Sequence, residues 1–399
     1  MHKNIWVFLL GVATLLPFIS VASGCNSISF SKSFLLFEQD SNDFINNEAK
    51  ENCSDSFSSD MCSQSSSIVS ETVLGPTTSQ TLSDTSKQNQ LLDYIIYKSQ
   101  VFLDTRTSLT NYDSFCFFTD PHLFLPNNSF DVDFSWFEQN FGLLKYACET
   151  FSIDTVICGG DVLNNNDTKE QAMYKLRLFV ENMTLFFDKP FFIVGNHDTN
   201  YQGNTFIESN DYESCMLDQN EINDTIFYGK KSYYFFDSKL TRHYCFDSGI
   251  DWYGDRMNNY RYEQIDWFAS ELLKDEKSHN SIFIHIGLSN SDGSSTAMMQ
   301  ELGRIIYSYN NKETITINGC EYDYKYTQGH VDYILSGHLH QDTNDFFCGG
   351  VPIISTRTFS SPEIATQPTF DLVLADYDRN VLQCFRIGDG KDRTIKISC

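Results

Sequence analysis

Residues that can bind metal ions or carry protons follow five short apolar runs of this sequence. The runs are "CFFT", "DTVIC", "PFFIV", "SIFI" and "VDYILS". The clusters that follow them are Asp120-Pro121-His122, Gly159-Gly160-Asp161, Gly195-Asn196-His197-Asp198, His285 and Gly337-His338-Leu339-His340. Five of the nine histidines of the chain lie in these clusters, which is more than a random scatter would place there.

The side chains of these clusters are carboxylates, an amide and imidazoles, and none is a thiolate. Such nitrogen and oxygen donors favour Mn, Fe or Zn over a cysteine-rich structural zinc site. Seven donors exceed the needs of one ion, so we expect two ions that share a carboxylate and together bind one phosphate group. The candidate ligands are Asp120, His122, Asp161, Asn196, His285, His338 and His340.

The elements around these clusters follow the pattern of an α/β domain. Strands are predicted at 114–119, 154–158, 190–194, 243–247, 281–284 and 331–335, and helices at 135–151, 168–187, 262–273 and 295–309. Thr168 and Gln171 are spaced as a capping box, and Asn318-Gly319 predicts a hairpin turn within 313–324. Because ligands of open α/β sheets bind beyond the carboxyl ends of strands, the five clusters can converge in one crevice.

Each cluster taken alone has an ordinary structural interpretation. Asp120 and Asp161 are common turn residues, and His285 on its own reads as a capping or core histidine. The order of the five clusters, each at a strand end, is what favours a metal site.

In that order the motifs Asp-x-His, Gly-Asp, Gly-Asn-His-Asp, a lone His and Gly-His-x-His resemble the calcineurin-like metallophosphoesterase superfamily, from about residue 112 to at least residue 340. "GGDVLNNNDTKEQA" and "YILSGHLHQD" are similar to exported bacterial members of that superfamily. The resemblance implies a four-layer α/β/β/α sandwich of two mixed sheets flanked by helices. It also implies a dinuclear metal site at the strand ends.

Roles for individual residues follow from the same resemblance. The first metal ion is expected on Asp120, His122, Asp161 and His340, and the second on Asp161, Asn196, His285 and His338. Asp161 would bridge the two ions. His197 would act as general acid, and Asp198 would orient His197.

Two positions depart from the family pattern. Members often have His-x-Pro where this chain has His285, Ile286 and Gly287, a change that alters the loop but keeps the ligand. The purple acid phosphatase branch has a tyrosine at the position of Asn164, so no purple tyrosinate-to-iron colour is expected here.

The expected activity is hydrolysis of phosphomonoesters or phosphodiesters by a hydroxide held between the two metal ions, with His197 protonating the leaving group. The alternatives are a non-enzymatic surface lipoprotein on the same fold, or a nuclease or nucleotidase of the superfamily. A net charge of −25 disfavours nucleic acid as a partner, because polyanion binding draws on Lys and Arg.

The N-terminal part of the sequence predicts export. Residues 1–24 read as a signal peptide, residues 25–89 as a flexible tether rich in Ser, Asn and Asp, and residues 90–399 as the catalytic domain. "ASGC" resembles a bacterial lipobox, which predicts a lipid anchor at Cys25 in the cell envelope, against ordinary cleavage and secretion. Contact with a membrane is expected through that anchor alone.

Two further expectations concern the remainder of the chain. Among its 12 cysteines, Cys384 and Cys399 flank a predicted hairpin and are expected to form a disulfide. Lys230, Lys231 and Arg357 are candidates for phosphate contact, although a solvated surface charge is the simpler interpretation of each.

Overall fold

The computed structural model describes residues 84–123, 134–164, 167–200, 206–207, 211–212, 214–215, 232–249, 262–287, 297–347, 350–359 and 368–398. By its contacts the chain divides into residues 1–90 and residues 91–399. Of the first unit, the structure describes residues 84–90. The predicted signal peptide, the lipid anchor at Cys25 and most of the predicted tether lie outside the described residues.

Helices and strands alternate along most of the described chain. The helices are α1 (Asp84–Thr107), α2 (Phe134–Phe151), α3 (Lys169–Phe186), α4 (Tyr262–Lys274) and α5 (Ala297–Asn310). The strands are β1 (Tyr112–Phe118), β2 (Thr155–Cys158), β3 (Lys189–Phe192), β4 (Tyr234–Asp237), β5 (Thr241–Cys245), β6 (His279–Phe283), β7 (Thr314–Ile317), β8 (Cys320–Asp323), β9 (His330–Ser336), β10 (Thr343–Phe347), β11 (Val351–Ser355), β12 (Phe370–Asp376), β13 (Val381–Ile387) and β14 (Arg393–Lys396). None of the helices in these ranges is both long and apolar enough to cross a membrane.

The strands form two mixed six-stranded sheets and one small hairpin. The first sheet has the order β14-β13-β12-β1-β2-β3, in which β1, β2 and β3 are parallel and β12 is antiparallel to β1. The second has the order β10-β11-β9-β6-β5-β4, with a parallel centre of β11, β9, β6 and β5. β7 and β8 pair with each other.

Three apolar clusters give the molecule four layers. Phe117 of β1 and Phe283 of β6 belong to the cluster between the two sheets. The outer face of the first sheet, which includes Phe118 of β1, packs with α1, α2 and α3. The second sheet packs with α4 and α5 on its outer face. Because central strands are buried on both faces, they read in the sequence as continuous apolar runs. The predicted α/β/β/α arrangement is confirmed.

Most predicted elements agree with the structure to within a few residues. α3 has the predicted capping box, in which Thr168 Oγ1 accepts from the Gln171 amide and the Gln171 side chain accepts from the Thr168 amide. Asn318 and Gly319 both have positive φ, 50° and 81°, as a type I′ turn requires. Helix α1, by contrast, begins at Asp84, inside the predicted tether.

The C-terminal hairpin forms, but its predicted disulfide is wrong. Cys384 of β13 is a buried free thiol, and its partner across the hairpin is Arg393 of β14. Cys399 lies outside the described residues. The ladder runs from Cys384 opposite Arg393 to Val381 opposite Lys396, so the chain beyond β14 continues away from Cys384.

His243 of β5 is a buried histidine within the layer between the sheets. Its ring lies 4.7 Å from that of Phe236, and its Nδ1 lies 2.7 Å from Ser281 Oγ. Burial lowers the pKa of His243 to about 4. An unfolded histidine has a pKa of about 6.5, so between these values the unfolded chain binds a proton that the folded chain excludes.

Stability should therefore fall as the pH is lowered from 6.5 towards 4, and His243→Asn should remove part of this dependence. We expect the difference in unfolding free energy between pH 7 and pH 5 to shrink by about 2 kcal/mol in the variant. Urea unfolding of both proteins at pH 7 and at pH 5 measures this difference. An unchanged difference would show that His243 does not remain neutral in the folded chain.

Candidate metal centre

The carboxyl ends of neighbouring parallel strands place the predicted ligands beside one another. β1 and β2 are in register at Phe118 and Cys158, and Asp120 and Asp161 follow them. In the second sheet β6 and β9 are neighbours, and they lead into His285 and into the loop that contains His338 and His340. The predicted ligands, His197 and Asp198 are all described, and these loops meet between the two sheets. The candidate phosphate contacts Lys230 and Lys231 lie outside the described residues.

The first predicted set of ligands forms a compact group. His340 Nε2 lies 3.2 Å and His122 Nε2 lies 3.7 Å from Asp120 Oδ1. The two Nε2 atoms face each other at 3.0 Å. Three donor atoms, one from each residue, lie within 4.8 Å of one another, as binding of one ion requires.

Asp161 lies beside this group, near His122, and belongs to a second group. Its Oδ2 lies 4.0 Å from His122 Nε2 and 2.9 Å from His285 Nε2. Asp161, His285 and His338 form another set whose donor atoms lie within 4.8 Å of one another. Asp161 thus has the position expected of a carboxylate shared between two ions.

Backbone carbonyls hold two of the imidazole rings so that Nε2 faces the cluster. His122 Nδ1 lies 3.1 Å from the carbonyl of Leu163, and His285 Nδ1 lies 2.8 Å from that of Gly159. An Nδ1–H that donates to a carbonyl leaves the lone pair on Nε2, which is the tautomer that binds a metal ion.

Five of the predicted ligands have left-handed backbone conformations. Their φ values are 55° for Asp120, 40° for His122, 55° for Asp161, 67° for His338 and 51° for His340. Such conformations are unfavourable for residues with a Cβ and persist only where surrounding contacts enforce them. The loops are therefore held in place by their neighbours and not by local preference.

The buried carboxylates of Asp120 and Asp161 are ionised. Burial alone would raise the pKa of Asp161, but the positive charge of His285 lowers it to about 2. Burial likewise opposes a charge on His285, yet Asp161 and Asp120 raise its pKa to about 10. The pKa of Asp120 is also well below its usual range, because the effect of burial is outweighed by His285, His122 and His340 together. A cation that takes Nε2 of His285 must displace a proton, as is usual for metal binding.

The donors fit a bound cation. The Oδ1 atom of Asn196 is buried and has no hydrogen-bond partner among the described residues. A buried amide oxygen without a partner is costly, and coordination of a metal ion would satisfy it. Together with the buried carboxylates and inward Nε2 atoms, this oxygen supports the predicted dinuclear site.

His197 lies at the accessible side of the cluster. Its side chain is 29% exposed, and its Nε2 is 4.0 Å from Asp161 Oδ2. The main-chain N–H of His197 donates to Asp161 Oδ1 at 2.8 Å. The position suits proton transfer to a bound ester, but a donor set of His122, Asp161 and His197 also lies within 4.8 Å.

Asp198 has contacts that differ from its predicted role of orienting His197. Its fully buried carboxylate accepts four main-chain hydrogen bonds, which occupy the acceptor positions of its two oxygens. The donors are the amides of Asp161 at 3.0 Å, Val162 at 2.7 Å, Leu163 at 3.1 Å and Gly195 at 2.9 Å. Asp198 therefore fixes the loop that carries Asp161.

Some supporting residues were not foreseen from the sequence. Thr358 Oγ1 donates to the main-chain oxygen of Asp120 at 2.6 Å. Ser248 Oγ accepts from the amides of His285, at 3.0 Å, and Ile286, at 3.3 Å. Ser248 directly follows the strand predicted at 243–247, and this position was the one sign in the sequence that it could lie near the site. Thr358 lies in a segment with no predicted element. Arg357 is 47% exposed and pairs with Asp342 at 3.3 Å.

The four-layer fold with a His, Asp and Asn cluster at the strand ends defines a metallophosphoesterase architecture. Residues 114–342, more than half of the chain, match the family model described as calcineurin-like phosphoesterase. The chain therefore belongs to the calcineurin-like phosphoesterase family, whose members bind divalent metals at a dinuclear site. No curated protein matches the sequence.

Solved structures of similar fold come from several organisms. A dimetal phosphatase from Danio rerio aligns with a TM-score of 0.50 and 13% identity, over 71% of this chain and 99% of that chain. A purple acid phosphatase from yellow lupin (Lupinus luteus) has a TM-score of 0.43 and 14% identity, over 72% of this chain and 54% of that chain. At 13% identity, the similarity to the Danio rerio structure establishes the fold and not the substrate.

Gly195 provides a steric test of the site. A Cβ at this position would lie 2.2 Å from Asp161 Oδ1 and 2.3 Å from the Asp161 amide nitrogen. Gly195→Ala must displace Asp161, so we expect loss of metal binding and a stability cost of about 1–3 kcal/mol. Gly142→Ala is the control, because nothing lies within 4 Å of its Cβ position in α2. That variant should gain about 0.5–1 kcal/mol.

Metal content per chain and urea unfolding measure both glycine variants. Full metal content in Gly195→Ala would contradict the close approach of Gly195 to Asp161.

Asp198→Asn tests the new role of Asp198. In the variant, the NH₂ group of the new asparagine side chain would face main-chain N–H donors that the Asp198 carboxylate accepts in the unaltered protein. We therefore expect the metal-free chain to lose about 2 kcal/mol of stability. Urea unfolding with a chelator present measures this loss. Unchanged stability with a selective loss of turnover would instead support the predicted role in orienting His197.

Proposed function

We propose that this chain is a metal-dependent phosphoric ester hydrolase that acts on phosphomonoesters or phosphodiesters. The observation that carries the proposal is the position of Asp161, whose buried carboxylate lies 4.0 Å from His122 of the first predicted set and 2.9 Å from His285 of the second. A shared carboxylate suits a pair of ions close enough to bind one phosphate group. Membership in the calcineurin-like phosphoesterase family supports the same reaction class.

Two sets of residues would hold the ions. The first set is Asp120, His122, Asp161 and His340, and the second is Asp161, Asn196, His285 and His338. When bound, the ions would neutralise phosphate oxygens and lower the pKa of a water molecule. Because the donors are carboxylates, an amide and imidazoles, we propose Mn, Fe or Zn as the metals.

His197 would supply the proton to the departing alcohol. Its side chain is partly exposed, whereas His285 is fully buried. A histidine that is accessible to substrate and close to the bridging carboxylate can donate a proton, a contribution usually worth about 10²- to 10⁴-fold in rate. Since His197 lies within reach of Asp161 and His122, binding to metal is the competing role.

Hydrolysis of 4-nitrophenyl phosphate and bis(4-nitrophenyl) phosphate tests the proposed reaction. The chain loaded with Mn, Fe or Zn should release nitrophenolate from one or both, and a chelator should abolish the release. The ratio of the two rates gives the preference between monoesters and diesters. No release with any of the three metals, in a chain shown to hold two ions, would contradict the proposed activity.

Three variants assign the roles. His197→Ala should keep its metal and lose turnover by about 10²-fold or more. Asp161→Asn should lose metal. His330→Ala, at the opposite end of β9 from the cluster, is the matched histidine control and should keep both metal and turnover. Loss of metal in His197→Ala would make His197 a ligand, and full turnover would remove it from the reaction.

A further inference from the structure

A buried group of charges lies beside the metal centre and is not part of it. Arg386 of β13 is fully buried, and the Asp371 side chain in β12 is 1% exposed. Around them are Arg393, Asp342 and Arg357, whose side chains are 9%, 19% and 47% exposed. A buried charge is costly unless it is paired and hydrogen-bonded, so this group needs all its partners.

Every N–H of the Arg386 guanidinium has an acceptor. Nε donates to Asp371 Oδ1 at 2.9 Å, and Nη2 donates to Asp371 Oδ2 at 3.0 Å and to Asp342 Oδ1 at 2.6 Å. Nη1 donates to Asp342 Oδ2 at 3.3 Å and to the carbonyl of Asp389 at 2.9 Å. The five donors of the fork are thus used in full, which defines its position closely.

Asp342 connects this group to the metal centre. It lies two residues after His340, in the loop between β9 and β10, which belong to the second sheet. Asp371 and Arg386 belong to the first sheet. The Asp342–Arg386 ion pair therefore ties the loop that carries His340 to the opposite sheet.

That loop needs an external restraint. His338 and His340 both have left-handed backbone conformations, with φ of 67° and 51°. His340 Nε2 must nevertheless stay 3.2 Å from Asp120 Oδ1 to complete the first ligand set. The strain at these residues persists only where surrounding contacts over-determine it. On the C-terminal side of His340 those contacts include the two hydrogen bonds from Arg386 to Asp342.

We propose that Asp342 and Arg386 are positioning residues that hold His340 in place and so determine the affinity of the first metal ion. The second ion, on Asp161, Asn196, His285 and His338, should depend on the pair much less. His285 and Asn196 are supplied by other loops, and the main-chain N–H of His338 donates directly to Asp120 Oδ2 at 3.1 Å. This inference rests on the proposed dinuclear site, and its readout is metal binding instead of hydrolysis.

Titration of Zn²⁺ against a chromophoric chelator tests the inference, with metal content per chain measured alongside. The unaltered chain should bind two ions. Asp342→Asn, which keeps the shape of the side chain and removes its charge, should weaken one site by about 10- to 100-fold and leave the other unchanged. Asp237→Asn is the control, because Asp237 forms a similar two-bond pair with Arg242, at 2.8 and 3.1 Å, in β4 and β5. It should leave both affinities unchanged.

A double variant identifies which site is affected. His340→Ala should weaken the same site, and adding Asp342→Asn to it should cause little further loss, because both changes act through one ligand.

Arg386→Lys keeps the positive charge but loses the two-bond guanidinium contact with Asp342, and it should produce the same selective loss of affinity. Circular dichroism and urea unfolding show whether each variant is folded.

Three outcomes would overturn the inference. They are unchanged affinities in folded Asp342→Asn and Arg386→Lys, an equal loss at both sites, and full additivity with His340→Ala. An unaltered chain that binds fewer than two ions would contradict the proposed metal centre itself, which separates the two failures.

Discussion

The contact between His285 and Asp161 joins the two sheets at the point where the chemistry would occur. Asp161 follows β2 of the first sheet, His285 follows β6 of the second, and 2.9 Å separate Nε2 from Oδ2. Two carboxylates, Asp120 and Asp161, are buried here in a chain of net charge −25, so they need local positive charge. Imidazoles supply that charge when protonated, and metal ions would supply it when bound.

This requirement explains much of the surrounding structure. Five of the seven predicted ligands have left-handed backbones, and contacts to other residues hold the ligand loops. Asp198 accepts from four amides, Ser248 accepts from the amide of His285, and Asp342 pairs with Arg386. In each case a side-chain contact restrains the chain near a predicted ligand. The geometry expected of a dinuclear site thus depends on residues that do not themselves point at an ion.

The sequence predicted the strands, and the residues that the structure brings together as candidate ligands, because both leave local signals. A strand buried on both faces reads as an apolar run, and a ligand loop at its end reads as glycine with Asp, Asn or His, as for Asp161 and Asn196. The pairing of β12 with β1 and the tie between Asp342 and Arg386 join residues far apart in the chain, so no spacing indicates them. The sequence also shows no sign of the contacts of Asp198. Its carboxylate accepts hydrogen bonds from main-chain amides, which residues of nearly every type provide.

Anomalous X-ray diffraction from crystals of the metal-loaded protein tests the central claim most directly. The account predicts two peaks about 3.5–4 Å apart, as in two-metal sites generally. Asp161 should lie between them, with His340 beside one and His285 beside the other. A single peak, or two peaks that do not share Asp161, would contradict it.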